Sequence, residues 1–413
     1  MNARVMIIGG GAAGLCAACA LAKCGFEPLV LEGQARVGKK LLATGNGRCN
    51  LTNMGAEETC YHGDTKAISV VFRRYPPQKV RAFFRSLGLE TVEETEGRVY
   101  PMSRQAASVL DALRLTIPAY GGTIQTEAPV ATLRRNERGR FEAQDESGAI
   151  YTARRVLVAT GGLAAPKLGG NGSGVRLFQA LGHTSSASFS TIAPLKTDPT
   201  LVRALKGQRV HCTIALEANQ RTLREENGEV LFGDGSLSGI AAMQLARNAQ
   251  EVLRKSGQPV AILRLVNGSP KEWIDELTRR KDRCPFYPME DFLSGICPKR
   301  VGMEIVKAAK IALAKRADAL TQDEIARLAE HLCAWRFPIT GVQGFEHAQA
   351  TAGGVRLNEF DWNTMQSKYV NGLFAAGEVL NVDGDCGGYN LQWAWASALT
   401  AADGIAQSLQ KER

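Results

Sequence analysis

Apolar residues come in short bursts at the start of the chain. Val5-Met6-Ile7-Ile8 leads into a glycine cluster, then the small-residue stretch Leu15 to Ala22, then a second apolar run, Pro28-Leu29-Val30-Leu31. Short apolar runs bounded by glycine predict buried strands, and small residues at helical length predict a helix packed close upon them. Residues 1–33 therefore predict one strand–helix–strand unit. The segment 38–53, GKKLLATGNGRCNLTN, holds too much Gly, Asn and Thr for a regular element and predicts an ordered loop. Helical spacing of Ile68, Val71, Phe72, Val80, Phe83, Phe84 and Leu87 predicts a helix over 66–87, broken at Pro76-Pro77. A further helix is predicted from Gln105 to Tyr120.

Between 123 and 158 the period changes to two. Thr123–Thr126, Val130–Leu133, Phe141–Ala143 and Ala149–Tyr151 predict a strand meander, with turns at Arg138-Gly139 and Ser147-Gly148. It ends in Arg155-Val-Leu-Val-Ala-Thr-Gly-Gly162, which reads as a central parallel strand whose C-terminal end meets a ligand. Composition changes near 190. Runs at Arg209–Leu216 and Glu229–Phe232 predict a small β region, and 240–253 and 300–333 carry helical periodicity. Glycine-rich loops and short strands return from about 345, and Leu391 to Leu409 predicts a closing helix. The fold class expected is α/β: a Rossmann-like, discontinuous cofactor domain from 1–190 and 345–413. A substrate domain is inserted at 191–344, β-rich over about 191–250 and helical over about 255–340.

The chain has 413 residues, 45% of them hydrophobic and 22% charged, as in folded globular proteins. No apolar stretch is long enough to span a membrane. The first strand begins within five residues of Met1, leaving no room for a signal peptide, so a cytoplasmic protein is expected. The 10 cysteines are scattered without zinc spacing and histidines number 5, so reduced thiols and no metal centre are expected. Cys16-Ala-Ala-Cys19 lies inside the first helix, where small residues serve packing. The net charge of +9 raises the prospect of a polyanionic partner or an anionic substrate. Arg279-Arg280-Lys281-Asp282-Arg283 is one basic cluster. Lys299, Arg300, Lys307, Lys310, Lys315 and Arg316 are a second, read either as a solvated helix face or as a surface for phosphates. No aromatic residues interleave with them in the manner of an RNA-binding module.

The chemistry concentrates in glycine. In GGGAAG at 9–14, Gly9 permits a tight turn, Gly11 lets backbone approach a pyrophosphate and Gly14 lets the helix pack on the sheet. Glu32, ending the second strand, is placed to accept from a ribose diol and to repel a 2′-phosphate, which leaves FAD or NAD. Four glycine-rich segments, 9–14, 45–50, 161–174 and 377–388, need one explanation. A single dinucleotide with a large polycyclic head, FAD, explains them better than NAD. Gly170-Asn-Gly172-Ser-Gly174 follows no strand directly and is not counted as a second fingerprint. Lys39, Lys40 and Arg48 are candidates for the phosphates or the flavin N1/C2 edge. Cys49, Cys386 and Tyr389 are candidate proton donors near the ring.

These segments carry a resemblance to a known family. GGGAAG at 9–14, GKKLLATGNGRCNLTN at 38–53, VLVATGG at 156–162, TAGGV at 351–355 and GLFAAGEVLNVDGDCGGYNLQWAWASA at 372–398 resemble the BaiN/YhiN-like flavoproteins, also described as aminoacetone oxidase family FAD-binding enzymes. Ala398 departs from that pattern, standing where many relatives carry glycine. The resemblance implies a two-dinucleotide-binding flavoprotein fold with a barrel-like and helical insert. It implies FAD contacts at Gly9, Gly11, Ala13, Gly14, Glu32, Lys40, Asn46, Arg48, Cys49, Asn50, Gly161, Gly377, Glu378, Asn390 and Leu391. The implied activity is reduction of an activated C=C bond by hydride from reduced flavin, with NADH or NADPH as transient electron donor. The substrate it favours, given the charge, is uridine in 23S ribosomal RNA, converted to dihydrouridine. A small hydrophobic enone of steroid or bile-acid type is the alternative, with Trp335, Phe337 and Phe345 as wall candidates. An amine oxidase and a non-catalytic flavin-binding protein are further alternatives.

Overall fold

A computed structural model describes residues 2–411 and divides the chain into two units. One runs up to Phe189 and resumes at Gln349; the other is Ser190–Ala348.

In the discontinuous unit the described residues form a nine-stranded sheet. Its centre is parallel, in the order Leu373–Ala375, Ile150–Val158, Asn2–Ile8, Leu29–Leu31, Thr123–Gln125. Val5 to Ile8 pair with Arg155 to Val158 and are buried on both faces, which is why these strands read as unbroken apolar runs rather than alternating ones. The first helix, Ala12–Lys23, buries Leu15 to Cys19 without a gap and packs against the closing helix, Tyr389–Gln410. Cys16 and Cys19 are fully buried in it. Burial pushes the Cys19 thiol up to about 12, which suits packing and not redox chemistry. Trp393 and Trp395 of the closing helix are buried, with indole N–H groups donating to the carbonyls of Gly377 and Leu51.

Two expected features differ. Thr123–Gln125 is no part of the meander: it pairs in parallel with Leu29–Leu31, because the helix Ala106–Ala119 carries the chain across the sheet and returns it in the same direction. The meander proper is Val130–Arg135, Phe141–Asp145 and the start of Ile150–Val158. The loop expected over 38–53 contains a short helix, Lys39–Ala43, and a turn at Thr44–Gly47 in which Gly45 and Asn46 take positive φ.

A buried polar network ties the end of the first segment of this unit to its last. The His183 Nδ1 lies 2.8 Å from Glu359 Oε2 and its Nε2 2.9 Å from Ser367 Oγ, with the ring stacked on Phe360. The Thr184 N–H and hydroxyl also donate to Glu359. Burial holds the His183 pKa below its ordinary value against the pull of Glu359. Burial alone would raise the Glu359 carboxyl, but bonds from Thr184 and His183 hold it below the ordinary value. Both depressed groups contribute stability that is present above their unfolded pKa values and is lost as pH falls through the folded ones. Glu359→Ala is expected to cost about 2–3 kcal/mol by stranding buried donors, lowering Tm by roughly 4–12 °C in calorimetry. The wild type should lose stability on going from about pH 7.5 to about pH 5.5, and His183→Asn, which has no ring to protonate, should show less of that loss.

The inserted unit holds a closed antiparallel barrel among its described residues. The strand order is Leu195–Thr197, Ser236–Ser238, Arg221–Phe232, Arg209–Ala218, Val260–Arg264, Trp335–Val342. Two of these strands come from the region expected to be helical. Val260–Arg264 is a short apolar run, and Trp335–Val342 alternates so that Trp335, Phe337 and Ile339 face inward. Trp335, Phe337 and Phe232 cluster with ring centroids 4.8–6.1 Å apart. Trp335 and Phe337 are thus barrel core rather than walls of a substrate pocket, and Phe345 is half-buried outside the strand. The helices Pro270–Arg283 and Gln322–Cys333 each begin with a full capping box, Ser269 with Glu272 and Thr321 with Glu324. The helical run expected across 300–333 is interrupted: Lys299–Ala308 ends before Ala312 and Leu313, which sit in a connecting segment. No helix among the described residues is long and apolar enough to cross a membrane.

Candidate active site

The C-terminal ends of the parallel strands open onto a cleft of about 420 Å³ in the discontinuous unit, within the size range of small-molecule sites. One wall is the turn between the first strand and the first helix. Gly9 has φ +110°, and an added Cβ would lie 2.5 Å from the Ala159 carbonyl oxygen. At Gly14 a Cβ would lie 1.9 Å from the Gly9 carbonyl oxygen. Gly11 is different: nothing lies within 4 Å of its missing Cβ, because this residue faces the open cleft. The helix starts at Gly11 with no side-chain cap and no acidic residue in its first turn. Its leading N–H groups and positive end are available to an anion.

Beside this turn, Glu32 Oε2 accepts from Gly10 N at 2.8 Å and Oε1 from Gln34 N at 2.7 Å. Those two bonds fix the carboxylate at the rim and leave further acceptor capacity on each oxygen. The facing wall is a chain of contacts across distant sequence. Thr351 Oγ1 accepts from Leu163 N and Ala164 N, both at 2.9 Å. Thr351 N donates to Glu378 Oε1 at 2.7 Å, and Lys40 Nζ donates to Glu378 Oε2 at 2.7 Å. The Asn390 side chain brackets Gly384, accepting from its N–H at 2.8 Å and donating to its carbonyl at 2.7 Å. This holds the 384–388 turn at the start of the closing helix.

The donor set fits FAD. A bare helix N-terminus suits the diphosphate, and a rim carboxylate suits the ribose diol. Thr160, on the cleft wall, has a buried hydroxyl with no hydrogen-bond partner; Asn50 Oδ1, likewise unpartnered, lies outside the cleft lining and does not bear on the fit. An orphaned buried acceptor or donor costs free energy that a bound polar ligand recovers.

Of the residues singled out from sequence, Gly9, Gly11, Ala13, Glu32, Lys39, Lys40, Gly161, Gly377, Glu378, Asn390 and Leu391 line the cleft. Gly14 does not; it packs beneath the turn. Asn46, Arg48, Cys49, Asn50, Cys386 and Tyr389 are not among the lining residues either. Arg48 pairs instead with Glu94 at 2.8 Å, a carboxylate it shares with Arg104, and lies over the Tyr100 ring at 4.3 Å. Of the proton-donor candidates, Cys49 is fully buried and its thiol is pushed up to about 12 by that burial. Tyr389 opens the closing helix, one residue before the cleft-lining Asn390, and packs edge-on against Tyr61 at 6.1 Å. Its phenol is raised to about 12 by burial first, then by the Cys60 thiol and the Asp385 carboxylate. Cys386 is half-buried in the turn just before it. Sequence reasoning missed Thr160, Gln34, the 128–131 segment and Thr351, although Thr351 opens the TAGGV segment. The signal was adjacency: Thr160 precedes Gly161, and 128–131 follows a strand end. Among the described residues no group of His, Cys, Asp and Glu could hold a metal ion.

Comparison with known proteins bears on this cleft. A family profile described as the HI0933-like protein Rossmann domain matches residues 3–404. The chain belongs to this family. A Clostridium scindens protein named 3-dehydro-bile acid delta(4,6)-reductase is 35% identical over 98% of this chain and 99% of its own length. A Haemophilus influenzae protein named ribosomal RNA dihydrouridine synthase is 28% identical over 97% of this chain and 98% of its own. Among solved structures, 3-ketosteroid delta1-dehydrogenase from Sterolibacterium denitrificans superposes with a TM-score of 0.54 at 13% identity, covering 98% of this chain and 100% of that one. That last likeness speaks to the fold alone. The HI0933-like membership and its reductase relatives make the chain an FAD-dependent oxidoreductase, and the cleft is where its cofactor would sit.

Proposed function

We propose that this protein reduces a C=C bond conjugated to a carbonyl, and that its substrate is a uridine of 23S ribosomal RNA, yielding dihydrouridine. The reading is carried by the joint fit of cleft and family. When bound, FAD supplies hydride to the electron-poor carbon, received in turn from NADH or NADPH. The chain's own contribution is placement. Glu32 would hold the ribose, the first helix would receive the diphosphate, and Lys40, fixed by Glu378, would offer an N–H donor on the cleft wall. Tyr389 remains protonated through the neutral range and is the proton donor we favour, since Cys49 has no exposed surface.

The RNA reading draws on the net charge of +9 and on the two named activities of the relatives, which share one chemistry. A second reading, a small enone as substrate, has its own support. The 35% identical relative is named for such a compound. The charge excess is spread over both units in rough proportion to length. Many cations of the basic clusters are also engaged already: Arg280 donates to the carbonyls of Phe292 and Ser294, Lys281 to that of Leu320, and Lys315 to Glu324. Mass spectrometry of ribosomal RNA nucleosides from strains with and without the gene decides between the two. Loss of a dihydrouridine in the deletion strain, restored by the gene, is the expected result. An unchanged dihydrouridine content, with rapid reoxidation of the reduced protein by steroid enones, would transfer the assignment to the second reading.

A further inference from the structure

Resting on the RNA reading, the geometry points to a docking face for single-stranded RNA on the inserted unit, centred on Phe286 and flanked by Arg279, Arg283 and Arg316. Phe286 is 64% exposed, more than any other large hydrophobic side chain of the described residues. It sits in the turn that follows the helix Pro270–Arg283, between Pro285 and Pro288. The turn is not loose. Met289 N donates to the Lys315 carbonyl at 2.8 Å, Ala317 N to the Tyr287 carbonyl at 2.9 Å and Asp318 N to the Pro285 carbonyl at 3.0 Å. These bonds place the Arg316 backbone beside the turn that carries the exposed ring, and Arg283 stands three residues before that ring in the chain. Tyr287 touches that ring edge-on at 5.2 Å.

The electrostatics suit a phosphate backbone. Arg279 and Arg283 share the Glu276 carboxylate, and Arg316 pairs with Asp318, so three guanidinium groups meet two carboxylates. All three guanidinium side chains are more than 60% exposed. Exposed pairs of this kind hold weakly, and a phosphate can take the place of the carboxylate. An aromatic ring that stacks on any base, bordered by cations that follow the backbone, is the arrangement by which proteins hold unpaired RNA. A reaction on a uracil ring requires an unstacked base, and single-stranded RNA supplies one at the lowest cost in unpairing.

The test uses the full-length holoprotein and an in-vitro transcript of the source organism's 23S ribosomal RNA, with binding measured across a salt series. Phe286→Ala is expected to weaken binding about 5- to 100-fold at an unchanged salt slope, and Phe286→Trp to retain it. The double variant Arg283→Gln with Arg316→Gln is expected to flatten the salt slope by about 0.7 for each phosphate that is no longer neutralised. Flavin content and Tm serve as controls, because all these side chains are exposed. If the wild type binds the transcript and both variants bind it equally well, the docking face is wrong while the RNA reading stands. If the wild type fails to bind the transcript even at low salt, both fall together.

Discussion

Gly14→Ala is expected to yield a protein that neither folds stably nor retains flavin. The added methyl would lie 1.9 Å from the Gly9 carbonyl oxygen. That carbonyl cannot retreat. Gly9 is held by its N–H to the Leu31 carbonyl at 2.8 Å, and its own Cα side faces the Ala159 carbonyl. Backbone must then move against backbone inside a packed sheet, at a cost upwards of about 3 kcal/mol. Loss of the cofactor removes its binding contribution to stability as well. Gly11→Ala is the informative control. Gly11 has φ −84° and ψ −166°, extended backbone open to alanine, and nothing lies near its Cβ. The apoprotein should therefore keep its stability to within about 0.5 kcal/mol, while the methyl on the cleft wall weakens FAD. Tm of the apoproteins and FAD titration by fluorescence separate the two effects. A Gly14→Ala protein with normal flavin absorbance would overturn this account of the turn.

Tyr389→Phe is expected to slow reoxidation of the reduced protein by its substrate by about 10²–10⁴-fold, the range for loss of a positioned acid. The variant should keep its fold. The bond from the Tyr61 hydroxyl ends on the Tyr389 backbone carbonyl at 2.9 Å, and the edge-on ring contact survives removal of the hydroxyl. Flavin content should be normal for the same reason. Because the phenol is raised to about 12, its ionisation should leave no step in the rate across the neutral range. Anaerobic stopped-flow traces of pre-reduced wild type and variant provide the measurement. Equal rates with equal flavin content would remove Tyr389 from the proton-transfer role and leave Cys386 as the remaining candidate from the same turn.

The parts of this molecule that were legible in its sequence are those governed by local rules. Glycines at 9 and 11 followed a buried strand and Gly14 falls in the first turn of the helix after it, and each has a distinct steric reason in the structure. Glu32 was legible because a strand end fixes where its side chain goes. Arg48 was not. It sits in the expected glycine segment, yet Glu94 and Tyr100, more than forty residues on, draw it out of the cleft. Trp335 and Phe337 show the same limit. Their types suit a pocket wall, but the strand period turns them into a barrel whose closure depends on pairing with Val260–Arg264. The Phe286 face was hidden for a related reason: only backbone bonds from 285–289 to 315–318 bring Arg316 beside the turn that follows the 279–283 cluster.

The two-segment construction of the flavin unit sets an order of events during synthesis. The strand Leu373–Ala375 and the closing helix with Trp393 and Trp395 are translated after the whole of Ser190–Ala348. At ribosomal speeds of about 5–20 residues per second, the first segment waits roughly 10–45 seconds for its missing strand and helix. The inserted unit, drawn from one continuous stretch, has no such wait. During that interval the Leu373–Ala375 side of the strand Ile150–Val158 is an open edge, the kind of surface chaperones shield. Cofactor capture is therefore a late event, and the supply of FAD at the moment of chain release will govern how much of the protein matures.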